Sequence, residues 1–458
     1  MKKRILINID SYEESIVNRI ISTREDSISV VLYTNINSKY KYYKNRYSKI
    51  LHIDNINYFE LNTDIIECIS YVLNDENTAL FFDRHFPRAR KVNHGPGINN
   101  YYRYIATQVI KRYKLYKKVN CDYCYYASTP HQIESWVSVL VGEKLGVTPL
   151  LPHISPVPWR RHLYAGIRRD REKCQFADLT LSRAEDDLSN LENWIGRVQS
   201  NYEEAIPDYE KERLEKNRGE YFRLSNEIRR FWKKPHFIVN KWNCFKEYKR
   251  LSKIITDTRY IVFFLHYQPE RTTLPEGYGF SQQLNAIIAL RSALPPDVKI
   301  IVKEHPSTFT NVCIPSQRHP SFYRDIQSIP NVELADISQN SFDLIDKAAA
   351  VITISGTVGV EALLRGKPVA YLGVPTIIST YGSYVYDNIE GLRDFLKLCL
   401  LGIDKEKIVK STIQSMKESM NDSISIADSD GIVRNRHKKL EECKYELLIS
   451  AIEGKIKM

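Results

Sequence analysis

The sequence predicts an α/β protein of two doubly wound units, each a mostly parallel sheet with helices on both faces. Three observations carry this. Short apolar runs of strand length alternate with amphipathic helical stretches in both halves of the chain. A polar, densely charged segment separates the two alternating regions. The length, 458 residues, exceeds one ordinary core and suits two or three domains.

In the first region "RILINI" (4–9), "SISVVLYT" (27–34), "KILHI" (49–53), "TALFF" (78–82) and "VTPLL" (147–151) read as strands. "NCDYCYYAS" (120–128) is a further strand-like run. Helical patterns lie between, at 12–21, 61–73, 100–117 and 131–145. The segment 208–234 has helical spacing with mixed charge, and the proline in "KKPHF" reads as its break. The junction falls in 200–250, giving domains 1–235 and 236–458. The last region alternates more cleanly. Its strands are "YIVFFL" (260–265), "VKIIVK" (298–303), "NVEL" (331–334), "AAVITIS" (349–355) and "KPVAYLG" (367–373). Its helices are 281–294, 319–328, 340–348 and 358–365. Two such units without a nicotinamide fingerprint predict two Rossmann-like domains with a substrate cleft between them.

The composition, 43% hydrophobic and 26% charged, is that of a globular protein rather than a disordered one. A net charge of +11 invites an anionic partner, whether nucleic acid, an acidic membrane surface or a phosphorylated substrate, with solvated helix faces as the plain alternative. Among eight cysteines only Cys121 and Cys124 show metal-like spacing, and no second pair accompanies them. Free thiols in a reducing cytosol are expected. The N-terminus lacks a secretory apolar core, and no stretch reaches the ~18 apolar residues of a spanning helix. The expected location is therefore cytoplasmic, at most peripheral on the inner face of the membrane.

In open α/β sheets ligands bind beyond the carboxyl ends of the strands. Three strand ends of the last region carry unusual residues. "FFLHYQPERTTLPEG" (263–277) stops its strand at His266. It then runs through Tyr267, Gln268, Glu270 and Arg271, far longer than the usual connection of roughly 2–6 residues. "VKEHPS" (302–307) delivers Lys303, Glu304 and His305 at a strand end, with Pro306 forbidding further pairing. "ITISGTVGVEALLRGKPV" (352–369) is a strand, a small-residue turn of Ser355, Gly356 and Thr357, and a helix whose N-terminus suits an anion. Gly359 is expected to admit a ligand close to the backbone, and Glu361 to accept from a ribose. The lysine of a P-loop is absent, so the pattern fits a nucleotide-sugar phosphate better than ATP hydrolysis. Each stretch has a plain alternative: an ornamental loop, a simple His-Pro turn, a helix-face charge.

"HYQPERTTLPEG", "VKEHPS" and "ITISGTVGVEALLRGKPVAYLG" together resemble the bacterial capsule polysaccharide biosynthesis family. The resemblance covers about 255–375 strongly and the N-terminal half loosely, through "STPHQIESWVSVLVGEKLGV" (128–147). It implies a GT-B glycosyltransferase, two Rossmann-like domains facing across a cleft, acting without a bound metal or other cofactor. The His-Pro pair and the Ser/Thr turn are also similar to those of bacterial sialyltransferases and Kdo transferases, which use CMP-activated acidic sugars. By that likeness His305 contacts the CMP phosphate, and Ser355 and Thr357 hold the same group. His266, Gln268, Lys303, Pro306, Gly356 and Glu361 complete the expected donor site. Ser281 stands where relatives often have an acidic residue. "DSD" (428–430) reads as a turn rather than a metal motif.

The acceptor, a surface glycan or lipid-linked glycan, is expected on the N-terminal half. Asp10, Asp83, His94, His131 and Glu134 are the candidates there for base or nucleophile. His131 and Glu134 are preferred, because they lie at a strand's carboxyl end in the first turn of the following helix. Glu270 is the catalytic candidate of the second half. "NHGPG" (93–97) is the expected acceptor loop. Two aromatic-basic stretches, 102–118 and 158–173, fit an anionic glycan, a lipid surface or RNA, with a solvated helix face as the alternative. Nucleic acid is not the expected partner. Two rival readings remain: a nucleotide-sugar epimerase of similar fold, and a non-catalytic protein binding glycan or nucleic acid.

Overall fold

The structure is a computed structural model. It describes residues 3–10, 12–23, 28–56, 63–85, 98–166, 175–176, 178–179, 186–200, 215–217, 219–233, 235–268, 270–310, 318–375, 380–420, 423–426, 436–452 and 456–457. The chain forms two compact units, one of 1–188 with 418–458 and one of 189–417.

The first unit is built on strands β1 (Lys3–Asn8), β2 (Ile28–Thr34), β3 (Ile50–His52), β4 (Tyr123–Tyr125), β5 (Thr148–Ile154), β6 (Arg160–Ala165) and β7 (Gln175–Phe176). A short β8 (Asp178–Leu179) lies outside this sheet. The spatial order β3-β2-β1-β4-β5 is parallel throughout and has the 3-2-1-4-5 winding of a dinucleotide-type fold. β6 then pairs antiparallel with β5. The apolar runs are continuous rather than alternating because both faces of a parallel sheet are covered; Ile5, Leu6 and Ile7 are all fully buried.

The second unit carries β9 (Ser252–Lys253), β10 (Ile261–Phe264), β11 (Ile300–Lys303), β12 (Val332–Ala335), β13 (Ala350–Thr353), β14 (Val369–Tyr371) and β15 (Ser383–Val385). All pairings in this sheet are parallel. The order β12-β11-β10-β13-β14-β15 again reverses direction once, between β10 and β13. Its core joins Ile261, Phe263, Ile300, Val302 and Ile352 to Ile287 and Leu290 of the helix Gln283–Ala293.

The expected strand 78–82 is helix instead, within Glu76–His85. Asp75 opens it, its carboxylate accepting from the Asn77 N–H at 3.1 Å and the Thr78 hydroxyl at 3.2 Å. The proline of "KKPHF" does not end a helix but starts one, Pro235–Leu251, where its missing N–H costs nothing. The expected division 1–235 and 236–458, with its junction in 200–250, differs from the observed units twice: the second unit begins at Ser189, and 418–458 belongs to the first. There β16 (Ile424–Ser425) pairs antiparallel with β6, and β17 (Ile456–Lys457) pairs with β8. Both pairings return the C-terminal chain to the first unit.

The basic-aromatic stretch at 158–173, read as an anion-facing surface, is largely core where it is described. Trp159, Arg160, Arg161 and Tyr164 are buried. The Arg160 guanidinium donates to Ser423 Oγ at 2.9 Å and to the Met420 carbonyl at 3.0 Å, so it ties β6 to the C-terminal segment. In the helix Ile98–Val119 the aromatic residues Tyr104, Tyr113 and Tyr116 likewise face inward. Cys121 and Cys124 are buried and unbridged, with burial pushing the Cys124 thiol up to about 11. Among the described residues no helix is long and apolar enough to cross a membrane, and no group of three His, Cys, Asp or Glu is placed to hold a metal ion.

Candidate functional site

The reversal of strand order between β10 and β13 opens the crevice where such sheets bind ligands. His266 follows β10, and Ser355, Gly356 and Thr357 follow β13, so both sequence-predicted ends flank that point. β11, the other neighbour of β10, delivers His305. The structure therefore brings His266, His305 and Ser355 to three adjacent strand ends of one sheet.

His266 is buried at the centre. Its Nε2 lies 3.1 Å from Thr353 Oγ1. Its backbone N–H donates to Gln283 Oε1 at 2.8 Å, and its carbonyl accepts from Gln283 Nε2 at 2.9 Å and Arg318 Nη2 at 2.8 Å. Burial first, then the nearby His305 and Arg318, holds the imidazole down at about 3, so it is neutral at physiological pH.

Gly356 fits against this ring. A Cβ there would lie 2.8 Å from Thr353 Oγ1 and 3.1 Å from His266 Cε1. Its N–H donates to Thr353 Oγ1 at 3.1 Å, and Ser355 Oγ donates to the Thr272 carbonyl at 2.7 Å. Thr357 is exposed at the N-cap of the seven-residue helix Val358–Leu364, and Glu361 lies in its first turn. Gly359 serves packing rather than ligand approach. The space its side chain would need is taken by the buried Tyr371 ring, whose Cζ would stand 2.6 Å away.

The three residues at the end of β11, Lys303, Glu304 and His305, divide their tasks. Lys303 is buried and donates to the Gln339 carbonyl. Glu304 is fully enclosed. Its carboxylate accepts from the His305 N–H at 2.8 Å, Thr308 Oγ1 at 3.0 Å, Tyr323 OH at 2.7 Å and Arg318 Nε at 2.9 Å. Four donors on one carboxylate make it the knot of this loop. His305 is half-buried beside Tyr267, ring centroids 5.5 Å apart. Its Nδ1 accepts from the Ser307 N–H at 3.1 Å, so the neutral ring carries its proton on Nε2. Pro306 follows directly and leads into the short helix Ser307–Thr310.

The long loop after His266 is ordered by its own hydrogen bonds. Gln268 Nε2 donates to the Ser281 carbonyl at 3.2 Å, and Glu270 Oε2 accepts from Thr272 Oγ1 at 2.8 Å. Ser281 Oγ donates to the Thr273 carbonyl at 2.7 Å. Sequence reasoning passed over Arg318, Gln283 and Thr353. Gln283 was visible in "FSQQ"; Arg318 sits in a stretch with no periodic signal.

In the first unit the order reverses between β1 and β4. Asp10, just beyond β1, accepts from the Thr34 hydroxyl and from the Asn35 N–H at 3.1 Å. His131 lies beyond β4, two residues ahead of the helix Ile133–Lys144 rather than inside its first turn, because Gln132 is extended at the N-cap. Its Nδ1 is 3.2 Å from the Thr129 carbonyl, which only accepts, so the neutral ring presents Nε2 as the basic nitrogen. Glu134 is in the first turn and accepts from Tyr104 OH at 2.6 Å. Asp83 lies on the helix Glu76–His85. His94, the 93–97 loop, Pro269 and "DSD" lie outside the described residues.

Two doubly wound sheets, with histidine and hydroxyl groups gathered at the switch point of the second, define an α/β protein of two Rossmann-like units. Residues 199–380 match the family model described as capsule polysaccharide biosynthesis protein, and that region holds every residue of the expected donor site. No curated protein matches the chain. Among solved structures it is similar to a KpsC β-Kdo 2,7 transferase of Thermosulfurimonas dismutans (15% identity, TM-score 0.32, covering 82% of this chain and 96% of that one). It is also similar to UDP-GlcNAc 2-epimerase of Methanocaldococcus jannaschii (13%, 0.26, 91% and 99%). A third is HepE of Anabaena in complex with UDP (11%, 0.30, 96% and 100%).

Proposed function

We propose that the chain is a glycosyltransferase of capsule or other cell-surface polysaccharide synthesis, taking a nucleotide-activated sugar as donor. The observation that carries the reading is the meeting of His266, His305 and Ser355–Thr357 at adjacent strand ends inside the family-matched region. A CMP-activated acidic sugar, such as Kdo or another nonulosonate, is the proposed donor, and a glycan or lipid-linked glycan the acceptor.

In the proposed step the acceptor oxygen attacks the anomeric carbon. The bond from that carbon to the donor phosphate breaks, its electron pair going to the phosphate oxygen. His305, with its proton on Nε2, donates to that oxygen as charge develops, and the Gly356–Thr357 turn adds dipole and hydroxyl. The neutral His266 shapes the turn rather than supplying charge. His131 Nε2, Glu134 and Glu270 are the three candidates to take the acceptor proton. No metal is invoked, so turnover is expected to survive a chelator.

A thermal-shift screen against CMP, UDP, GDP and their sugars tests the reading, because a ligand that binds only the folded state raises its melting temperature. Selective stabilisation by CMP, lost in Gly356→Ala, is the expected result. Turnover of a UDP-sugar without any acceptor would replace this reading with epimerisation.

A further inference from the structure

The helices Leu224–Phe231 and Pro235–Leu251 each expose large apolar residues while burying one partner of an ion pair, Glu227 on the first and Lys241 on the second. On the first, Leu224, Ile228 and Trp232 are spaced by four and so share one face, and they are 50%, 50% and 67% exposed. On the second, Val239 and Trp242 are 56% and 45% exposed. The inner side holds a buried ion pair, Lys241 Nζ to Glu227 Oε1 at 2.9 Å. Phe237, Cys244 and Tyr248 are buried beside it. The outward apolar residues are therefore not errors of amphipathicity. They are exposed on two neighbouring helices that are anchored from behind, and exposed apolar residues gathered in this way mark an interaction surface.

Charge decides the occupant. The segment from Arg223 to Arg250 contains nine Lys or Arg and two Glu. Both glutamates are engaged, Glu227 by Lys241 and Glu247 by Arg250 at 2.7 Å. Arg229, Lys233 and Lys246 are exposed beside the apolar stripe, and the Lys233 ammonium lies 4.8 Å from the centre of the Trp232 ring. A second copy of the same face would meet like charge, and a nucleic acid would leave the aliphatic stripe unburied. Tryptophan and branched aliphatics set among cations match the boundary between anionic headgroups and acyl chains.

We infer that this two-helix face docks the protein on an anionic lipid bilayer, with Trp232, Ile228 and Leu224 entering the interface and Arg229, Lys233 and Lys246 meeting the headgroups. It differs from the aromatic-basic stretches that the sequence first offered for such a role, whose aromatic residues are largely buried.

The test is co-sedimentation of the purified full chain with vesicles of phosphatidylcholine alone or with phosphatidylglycerol added. Binding is expected only when phosphatidylglycerol is present, falling with salt. Ile228→Ser with Trp232→Ser should weaken it on the order of ten- to a hundredfold, the worth of two lost apolar insertions. Arg229→Glu with Lys233→Glu should abolish it. All four positions are exposed, and unchanged circular dichroism verifies folding. No pelleting with either vesicle, equal pelleting with both, or full binding by the Ser variant would each overturn the inference. So would light scattering that shows a dimer which the Ser variant dissolves. The readout needs no sugar transfer, so its failure and that of the transferase reading are separable.

Discussion

The side-chain amide of Gln283 closes both backbone groups of His266, accepting from its N–H at 2.8 Å and donating to its carbonyl at 2.9 Å. A side chain thus does for His266 what a neighbouring strand does for the residues before it. The β10 ladder can then end while His266, two residues beyond it, stays fixed. Gln283→Leu is expected to leave a buried N–H without that acceptor and to destabilise the second unit by about 1–3 kcal/mol. An unchanged urea midpoint would show that the amide bridge contributes nothing.

Glu304 and Arg318 form a buried ion pair at 2.9 Å, both side chains almost wholly enclosed. Glu304→Gln strands the guanidinium and should cost about 3–5 kcal/mol. Removing both charges in Glu304→Gln, Arg318→Met should recover part of that loss, because no unpaired charge remains. Additive losses in calorimetry would contradict the pairing.

His305→Ala removes the proposed Nε2 donor. Loss of one donor to developing charge typically lowers turnover on the order of a hundred- to a thousandfold. His305→Asn keeps an acceptor for the Ser307 N–H and an amide donor, and should restore part of the rate. The acidic limb of the pH profile should persist in His305→Ala, since another group produces it. Its selective disappearance would make His305 the base instead.

His266 gives the second unit a defined acid sensitivity. Its ordinary value is 6.5 and the folded value is about 3, so the folded state refuses a proton that the unfolded chain accepts. Above pH 6.5 the ring is neutral in both states and imposes no penalty. As pH falls from 6.5 toward 3, stability is lost at up to about 1.4 kcal/mol per pH unit from this group. Urea titrations at pH 7 and pH 5 should show a smaller difference for His266→Asn than for the native chain. Equal differences would remove His266 as the cause.

Much of the fold was legible because parallel strands buried on both faces leave unbroken apolar runs, as in "YIVFFL" and "VKIIVK". The strand ends were legible for the same reason: His266 and His305 stand where those runs stop. What escaped depended on distant partners or on caps. "TALFF" has strand composition, and only the capping carboxylate of Asp75 marks it as helix. The task of Glu304 is set by Arg318, Tyr323 and Tyr248, none of them near it in a pattern. The return of β16 to β6 rests on two residues, too few to show a period.

That return also sets an order for the growing polypeptide. The second unit is one uninterrupted stretch, 189–417, and all its pairing partners are made before the β16 segment. The first unit lacks the β16 segment that meets Arg160 until residues beyond 418 emerge. Of the two units, the one begun earlier is therefore completed later, and the second can mature while its predecessor still waits for its closing strand.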